Sequence, residues 1–454
     1  MLASQHITDD VPGQDRLLIR GGAPIAGTVS IGGLKHAMVP IVAASALPSG
    51  TIYLRNVPKI EDTRVLTAML RSMGAHIETG EGVLTIDTEH LADAPLDATL
   101  ARRVHGSLYL APTLLARFGH VSLGRTGGCA IGDAPGSGER PTEHVARIMA
   151  RFGATVDASN GSITARCDGR LTAADIDIQD WSSFPGSITG PYVSGATKTA
   201  ILLAATARGT TRIRNPYSKP DVTELVAFLS KAGVPCEMAG DELTIEGRPE
   251  LGTVEHELVS DVMEIFTFIT CAVHTGSTLR LTGVTTDRAR RGLRHELELL
   301  TAMGIASEWT DGVLTVRPPP RVLPRDVLVS SQTIYSDNQP MVALLLGMAE
   351  QSSVIREQVW RERFDYCHGL ARLGMRFEKL PDGIRVLPSR PGDGLSPTSS
   401  LEVHARDLRA AAVLVIAALT VRAPTLVTGA SHLARGYDDL QGKLRALGAS
   451  IEEI

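Results

Sequence analysis

The chain has 454 residues, of which 43% are hydrophobic and 21% charged, and its formal net charge at pH 7 is -5. These values are typical of a folded protein and exclude a disordered chain, while the negative charge argues against a general nucleic-acid binder, which carries a basic surface. The length predicts two or three domains, because one hydrophobic core stops growing at about 250 to 300 residues.

We expect no secretory signal in the amino-terminal region. Residues 1–20 carry several charged side chains and no apolar stretch of the kind that a secretory signal needs. The longest apolar runs, such as 410–421, are shorter than the roughly 18 residues that span a bilayer. Five unevenly spaced cysteines without a CxxC pair indicate neither a disulfide framework nor a zinc site. We expect a cytoplasmic protein with no membrane partner and no metal, and a small anionic ligand.

One pattern of predicted elements recurs six times along the chain, with a period of roughly 70 to 80 residues. The first helix of each unit is apolar on nearly every face, and these helices lie at 36–47, 107–118, 197–207, 264–274, 339–349 and 409–421. A short β-rich run follows, at 50–54, 119–123, 209–213, 276–280, 353–355 and 424–427. An amphipathic helix then ends at a glycine and leads into a strand, with the glycines at Gly74, Gly153, Gly233, Gly304, Gly374 and Gly448.

The two kinds of helix predict where each unit places its layers. A helix that is hydrophobic all round is buried, so the six apolar helices belong in the interior. The amphipathic helices cover the outside together with the strands. The predicted order within a unit is strand, buried helix, strand, outer helix, strand and strand, and six units divide naturally into three and three.

The stretch 124–141 departs from the repeat. It contains six glycines and two prolines, so it is predicted to be exposed and mobile. Two interpretations fit this composition: a lid over a binding site, or a surface insertion that the fold tolerates.

Polar residues recur at two positions in phase with the repeat. Five of the six buried helices are preceded by a titratable or cationic group, namely Lys35, His105, Asp261, Asp337 and Arg409. A second position follows the short strands and carries Asp62, Arg125 with Cys129, Asp221, Asp287 with Arg288, Arg361 with Arg363, and Arg435. Free N–H groups at helix starts favour anions, and arginine binds phosphate or carboxylate through two hydrogen bonds. Converging helix starts would form an anion pocket; taken singly, each residue is also compatible with a surface charge.

The motifs at these positions resemble the enolpyruvyl transferases, the UDP-N-acetylglucosamine 1-carboxyvinyltransferase branch more than the shikimate branch. The similarity runs from about Leu17 over essentially the whole chain. The matching segments are 32–37, 56–58, 127–132, 140–141, 336–339, 363–364, 407–409 and 435–437.

The resemblance implies an α/β fold, a two-domain inside-out α/β barrel of six repeated units with buried helices and outer sheets. In such folds the amino-terminal strand joins the carboxy-terminal half. We therefore expect residues 1–33 and 262–454 to form one domain of three units. Residues 34–261 would form the other, which carries the Cys129 loop, and ligands would bind in the cleft.

The resemblance also implies transfer of the enolpyruvyl group of phosphoenolpyruvate to an acceptor hydroxyl, with release of phosphate and without a cofactor or metal. Carbon 3 of the enol must gain a proton while the alcohol attacks carbon 2, so the reaction needs an acid, a base and cations. By the match, Cys129 protonates carbon 3 and Asp337 takes the acceptor proton. The residues that would hold phosphate and carboxylate are Lys35, which we count with the catalytic residues, and Arg140, Arg363, Arg409 and Arg435.

Other matched positions are expected on the acceptor side. Asp221 and Asp261 fit family positions, the latter near the uridine and sugar, although either could instead cap a helix. His36 and His105 stand at helix starts as possible substrate-binding residues, or in simple surface or capping roles. His36 replaces the usual asparagine, His105 stands where an arginine is often found, and the extra stretch 133–139 lengthens the lid.

These departures leave two acceptors open. The first is UDP-N-acetylglucosamine, in the synthesis of peptidoglycan precursors. The second is UMP or a related nucleotide, as in nucleoside-antibiotic pathways. A non-catalytic paralogue that only binds nucleotide is a third hypothesis, against which the full set of predicted acid, base and cations argues.

Overall fold

The computed structural model describes residues 15–48, 50–128, 131 and 142–454, and both helices and strands occur throughout these ranges. The helices in these ranges are α1 (Lys35–Ala44), α2 (Glu61–Ser72), α3 (Ala98–Ala101), α4 (Leu110–Phe118), α5 (Glu143–Arg151), α6 (Val193–Ala204), α7 (Pro220–Lys231), α8 (Val262–Thr275), α9 (Thr286–Gly292), α10 (Arg294–Ala302), α11 (Gln339–Gly347), α12 (Tyr366–Arg372), α13 (Leu408–Ala418) and α14 (Leu440–Ala446). Short 3-10 helices lie at His105–Tyr109, Ile178–Trp181 and Ala430–Arg435. No described helix is both long enough and apolar enough to cross a membrane.

The strands are short, as expected for a repeat of this period. They are β1 (Arg16–Arg20), β2 (Gly27–Ser30), β3 (Thr51–Arg55), β4 (His76–Thr79), β5 (Val83–Asp87), β6 (His120–Leu123), β7 (Thr155–Asp157), β8 (Ile163–Arg166), β9 (Asp175–Asp177), β10 (Thr210–Arg214), β11 (Cys236–Ala239), β12 (Glu242–Glu246), β13 (Val254–Glu257), β14 (Leu279–Thr282), β15 (Ser307–Thr310), β16 (Val313–Val316), β17 (Val327–Val329), β18 (Ser353–Glu357), β19 (Arg376–Leu380), β20 (Gly383–Leu387), β21 (Leu401–His404), β22 (Thr425–Thr428) and β23 (Ser450–Glu453). Exposed and buried residues alternate along strands such as β10, so one face of the sheet packs on the interior and the other meets solvent.

The predicted interior helices are buried. Every residue of α11 and α13 is buried, and so is all of α8 up to His274. These three helices contact one another, while α4 contacts both α1 and α6. The sequence prediction of buried helices inside and sheets outside is therefore confirmed.

Five sheets share one strand order. A first strand lies parallel to a second, a third is antiparallel to the second, and a fourth is antiparallel to the third. The five sheets are β13-β3-β5-β4, β9-β10-β12-β11, β2-β14-β16-β15, β17-β18-β20-β19 and β21-β22-β1-β23.

The second unit differs from the predicted order, because its described sheet, β6-β8-β7, has three strands. The region where a first strand was expected contains Pro95 and then the short helix α3. Asp97 caps that helix by accepting hydrogen bonds from the backbone N–H groups of Thr99 and Leu100. A proline and a helix cap both disfavour a regular strand, which explains why the described sheet of the second unit lacks the first strand.

Strands from distant parts of the chain complete three of the sheets. β1 lies between β22 and β23, and β2 pairs with β14, so the amino-terminal strands join the carboxy-terminal half. β13, which directly precedes α8, returns to pair with β3. The division into 1–33 with 262–454 and 34–261 stays a prediction.

The six glycines that end the outer helices share one backbone conformation. Gly74, Gly153, Gly233, Gly304, Gly374 and Gly448 all have positive φ, between 81° and 109°. A residue with a Cβ atom rarely adopts this conformation, whereas glycine does so at no steric cost. These glycines in the sequence thus mark the turn from each outer helix to the next strand.

Candidate active site

Five of the six interior helices begin around one cavity of about 250 Å³. Of the eleven predicted site residues, eight line it: Lys35, His36, His105, Asp221, Asp337, Arg363, Arg409 and Arg435. Cys129 and Arg140 lie outside the described residues, although Ile131, two positions after Cys129, lines the cavity. The repeat therefore brings together side chains that are hundreds of residues apart in the chain.

Local capping fixes the helix start that carries Arg409. The Asp407 carboxylate accepts hydrogen bonds from the backbone N–H groups of Arg409, at 2.7 Å, and Ala410, at 3.1 Å. Asp is one of the preferred residues at this position, because it satisfies donors that have no partner inside the helix. The first turn of α13 is thereby held in place beside the cavity.

Asp337 is the centre of a buried charge cluster. Its Oδ1 accepts a hydrogen bond of 2.5 Å from Nη1 of Arg363, and its Oδ2 lies 3.0 Å from both Nε and Nη2 of Arg409. Nε2 of His36 is 3.4 Å from the same Oδ2. Burial alone would raise the pKa of the Asp337 carboxyl, but Arg363 and Arg409 outweigh burial and hold this pKa well below its usual value. Asp337 is therefore ionised at neutral pH.

His36 is held in the neutral form by the same surroundings. Burial lowers its pKa, and the nearby Asp337 carboxylate opposes this effect only in part, while Arg409 adds to it. A neutral imidazole here can donate or accept a hydrogen bond without adding a charge.

Lys35 belongs to a second ion pair at the cavity. Its Nζ lies 2.9 Å from Oδ2 of the buried Asp62 and also donates a hydrogen bond to the backbone carbonyl of Arg435. Asp62 starts the outer helix α2, whereas Arg435 ends the 3-10 helix of the sixth unit. The ammonium group of Lys35 thus joins the first and the sixth repeats.

Asp221 forms a third ion pair, with a residue that the sequence analysis did not single out. Nζ of Lys198 lies 2.8 Å from Oδ2 of Asp221, which also accepts a hydrogen bond of 2.9 Å from the Ser194 hydroxyl. Burial would lower the pKa of Lys198, but the Asp221 carboxylate and Tyr109 raise it, so the side chain is charged. A lone lysine within an otherwise apolar helix was the available signal, because lysine is almost never fully buried without a partner.

Sequence reasoning also missed Lys219 and His144, both of which line the cavity. Burial lowers the pKa of His144 to about 4, and Lys198 adds to the shift. The His144 ring stacks on that of Tyr192, with centroids 5.5 Å apart. Neither residue lies at either of the two repeat positions, at the helix starts and after the short strands, where polar residues recur. The repeat therefore did not predict their role.

Asp261 does not line the cavity. Its side chain caps α8, accepting hydrogen bonds from the backbone N–H groups of Met263, at 2.8 Å, and Glu264, at 3.1 Å. This is the capping alternative named above, and a contact with the acceptor stays a prediction.

The cavity suits an anion. Its described lining holds six cationic side chains, those of Lys35, Lys198, Lys219, Arg363, Arg409 and Arg435, against three carboxylates, those of Asp62, Asp221 and Asp337. Several lining residues also have a buried polar atom without a hydrogen-bond partner in the described part of the chain, among them Nε of Arg363, Oδ1 of Asp221 and Nδ1 of His144. A bound ligand with phosphate or carboxylate and hydroxyl groups could satisfy both the excess charge and the unused atoms.

Comparison with known proteins identifies the family of the chain. The profile of the family described as EPSP synthase (3-phosphoshikimate 1-carboxyvinyltransferase) matches residues 19–444. The chain belongs to the EPSP synthase family. This family consists of enolpyruvyl transferases, which is the class that the sequence motifs indicated.

Proteins similar to this chain carry three kinds of name. UDP-N-acetylglucosamine 1-carboxyvinyltransferase of Chlorobium phaeovibrioides is 33% identical over 442 residues, covering 96% of this chain and 98% of the relative. The enolpyruvyl transferase NikO from Streptomyces tendae is 36% identical, with a TM-score of 0.89, covering 97% of this chain and 99% of that one. EPSP synthase from Acinetobacter baumannii, at 19% identity and a TM-score of 0.70, shares the fold.

Proposed function

We propose that this protein transfers the enolpyruvyl group of phosphoenolpyruvate to a hydroxyl group of a uridine nucleotide and releases phosphate. The observation that carries the proposal is the ionised Asp337 between Arg363 and Arg409, in a cavity with excess positive charge. A carboxylate that can accept a proton, next to cations that can bind an anion, is the combination that this transfer requires.

Phosphoenolpyruvate supplies two anionic groups to this cavity. Its phosphate and carboxylate can pair with Lys35, Arg363, Arg409 and Arg435, with Arg140 added by the family match. Arginines bind such groups through two parallel hydrogen bonds, which fixes the orientation of the ligand as well as holding it.

The low pKa of Asp337 makes it a poor base in the free protein, and binding of phosphoenolpyruvate corrects this. An anion beside Arg363 and Arg409 offsets the positive charge that lowers the pKa of Asp337. The carboxylate then becomes a stronger proton acceptor only when its co-substrate is present, which restricts proton transfer to the assembled complex.

The proposed steps balance in atoms and charge. The acceptor hydroxyl gives its proton to Asp337 as its oxygen bonds to carbon 2, while Cys129 gives a proton to carbon 3. The bond between carbon 2 and the phosphate oxygen then breaks, phosphate leaves with the proton held by Asp337, and carbon 3 returns a proton to the Cys129 thiolate as the double bond forms again. No cofactor takes part.

UDP-N-acetylglucosamine is the first proposed acceptor, because curated relatives that match almost the whole chain carry that name. UMP or a related nucleotide is the second. Three features support this alternative: the similarity to NikO, the neutral His36 beside Asp337, and His105 where an arginine is often found.

Phosphate release tests both acceptors. The purified protein is incubated with phosphoenolpyruvate and either UDP-N-acetylglucosamine or UMP, with a reaction that lacks acceptor as the blank. Release with UDP-N-acetylglucosamine alone supports the first acceptor, and release with UMP alone supports the second. Absence of release with every uridine nucleotide, while nucleotide binding persists, would refute the proposed reaction.

A further inference from the structure

Asp337 lies near the end of a loop, residues 330–338, that connects β17 to α11. Two buried carboxylates hold this 330–338 loop from its own half of the chain. Glu296 accepts hydrogen bonds from the backbone N–H of Tyr335, at 2.8 Å, and the side chain of Asn338, at 3.2 Å. Glu357 accepts a hydrogen bond of 2.9 Å from the Ser336 hydroxyl. These contacts anchor the loop but do not cross to the other side of the cleft.

Lys219 reaches the same loop from the 34–261 segment. Its Nζ donates a hydrogen bond of 2.6 Å to the backbone carbonyl of Thr333 and lies 3.8 Å from the centroid of the Tyr335 ring. Ser331 also contacts this segment: its backbone N–H donates to the Thr189 hydroxyl at 3.0 Å, and its hydroxyl accepts a hydrogen bond of 3.3 Å from the backbone N–H of Gly190. The ammonium group thus joins the two sides of the cleft immediately before Asp337.

The position of Lys219 in its own helix is electrostatically unfavourable. It is the N-cap residue of α7, where the helix dipole is positive, and its side chain caps none of the free N–H groups. A lysine there gains nothing from its helix. The Thr333 carbonyl and the face of the Tyr335 ring contact its ammonium group and favour its charge.

Several titratable groups face Lys219 from the elements packed around it. They are Asp221 and Tyr217 next to it in the chain, Glu296 on α10, Tyr335 and Asp337 on the loop, Glu357 on β18, and Arg288, Arg294 and His295 along the adjoining groove. Burial lowers the pKa of Lys219 to about 8, and the carboxylates oppose this shift. The ammonium form therefore predominates at pH 7 and is lost as the pH rises through about 8.

We propose that Lys219 is a positioning residue for Asp337. Its ammonium group straps the 330–338 loop to the 34–261 segment and so keeps the Asp337 carboxylate beside His36, which the opposite side of the cleft contributes. The strap is strong below the pH at which Lys219 loses its proton and weak above it. The consequence for catalysis rests on the proposed function; the strap itself does not.

Hydrogen–deuterium exchange of the 330–338 loop tests the strap without any substrate. At pH 7, Lys219→Met should raise exchange in this loop about tenfold, as expected for loss of one charge-assisted hydrogen bond. Lys219→Arg keeps a charged donor and should restore protection. The matched control is Lys231→Met, because Lys231 ends the same helix and donates to the Glu255 carbonyl at 3.1 Å, away from the cavity. Unchanged exchange of the loop in Lys219→Met would overturn the proposal.

A pH series keeps the test valid even if Lys219→Met folds poorly. After correction for intrinsic exchange rates, the loop of the wild-type protein should lose protection between pH 7 and pH 9, whereas the loop of Lys219→Arg should not. Equal pH dependence in the two proteins contradicts the strap.

With the acceptor that supports turnover, kcat of Lys219→Met should fall about tenfold while KM for phosphoenolpyruvate changes little. Lys219→Arg should recover most of the loss, and a kcat of Lys219→Met equal to that of wild type would refute the link to Asp337. If no acceptor supports turnover, the proposed function fails while the exchange result still decides the strap.

Discussion

Replacement of Asp337 by asparagine separates its two proposed effects, on proton transfer and on charge balance. The variant keeps the shape of the side chain but removes the negative charge between Arg363 and Arg409. We expect turnover to be lost, because an amide cannot take the acceptor proton. Binding of phosphoenolpyruvate should persist, since both guanidinium groups remain and no longer have Asp337 as a competing partner.

The cost in stability follows from burial of the cluster. Breaking a buried ion pair from one side costs about 3 to 5 kcal/mol, because the remaining charge is left uncompensated. Here the Asp337 side chain is 18% exposed, and the Asp407 carboxylate lies 3.8 Å from Arg363, so part of the charge stays balanced. We therefore expect a loss of about 2 to 3 kcal/mol, or a few degrees in Tm.

The pH dependence of this loss has a defined sign. The pKa of Asp337 is lowered in the folded protein, so its stabilising contribution is present above its unfolded pKa of about 4 and disappears as the pH falls through the folded value. The difference in Tm between wild type and Asp337→Asn should therefore be full at pH 7 and should shrink in strong acid.

Thermal unfolding with and without phosphoenolpyruvate measures these effects. A ligand at 100 times its Kd stabilises by about 2.7 kcal/mol, and we expect phosphoenolpyruvate to raise the Tm of Asp337→Asn more than that of wild type. Asp382→Asn is the matched control, because Asp382 pairs with Arg356 at 3.0 Å on the surface and should change neither Tm nor turnover. Full turnover in Asp337→Asn, or no effect of phosphoenolpyruvate on its Tm, would refute the reasoning.

Three further predictions concern other parts of the molecule. Cys129→Ser should lose about 10² to 10⁴-fold in kcat. Cys129→Asp should keep some turnover, because a carboxylic acid can also protonate carbon 3. Wild-type activity in Cys129→Ala would show that Cys129 is not the acid. His144 stays neutral in the folded protein down to about pH 4, but in the unfolded chain it protonates below about pH 6.5, so the stability of the fold should decrease as the pH falls from about 6.5 to about 4. His144→Phe should therefore flatten the plot of Tm against pH over this range. An unaltered slope would contradict this prediction. Gly233→Ala and Gly374→Ala both place a residue with a Cβ atom at positive φ, at a cost of about 1 to 2 kcal/mol. Only in Gly374→Ala would the new Cβ atom also lie 2.8 Å from the carbonyl oxygen of Asp393, so this variant should have the lower Tm. Equal Tm values for the two variants would contradict the packing argument.

Much of the fold could be read from the sequence because the repeat is local. An apolar helix, a short strand, an outer helix and a glycine are each specified within a few residues, and all six copies occur. The first strand of the second unit was the exception, because Pro95 and the Asp97 cap favour other backbone conformations there. The repeat also predicted that residues such as Asp337 and Arg409 lie at the starts of buried helices, because that position is equally local.

The sequence by itself determined the six units, the buried helices and which polar residues stand at the helix starts, because these depend on periodicity and on nearest neighbours in the chain. Tertiary structure decided which of those residues meet. The strands β1, β2 and β13 pair with sheets formed by distant parts of the chain. Asp261 caps its helix instead of lining the cavity. Lys198 and Lys219 form contacts that their positions in the repeat did not predict. Protonation states were also decided there, because burial and charges from remote segments act on a pKa only after the chain has brought them together.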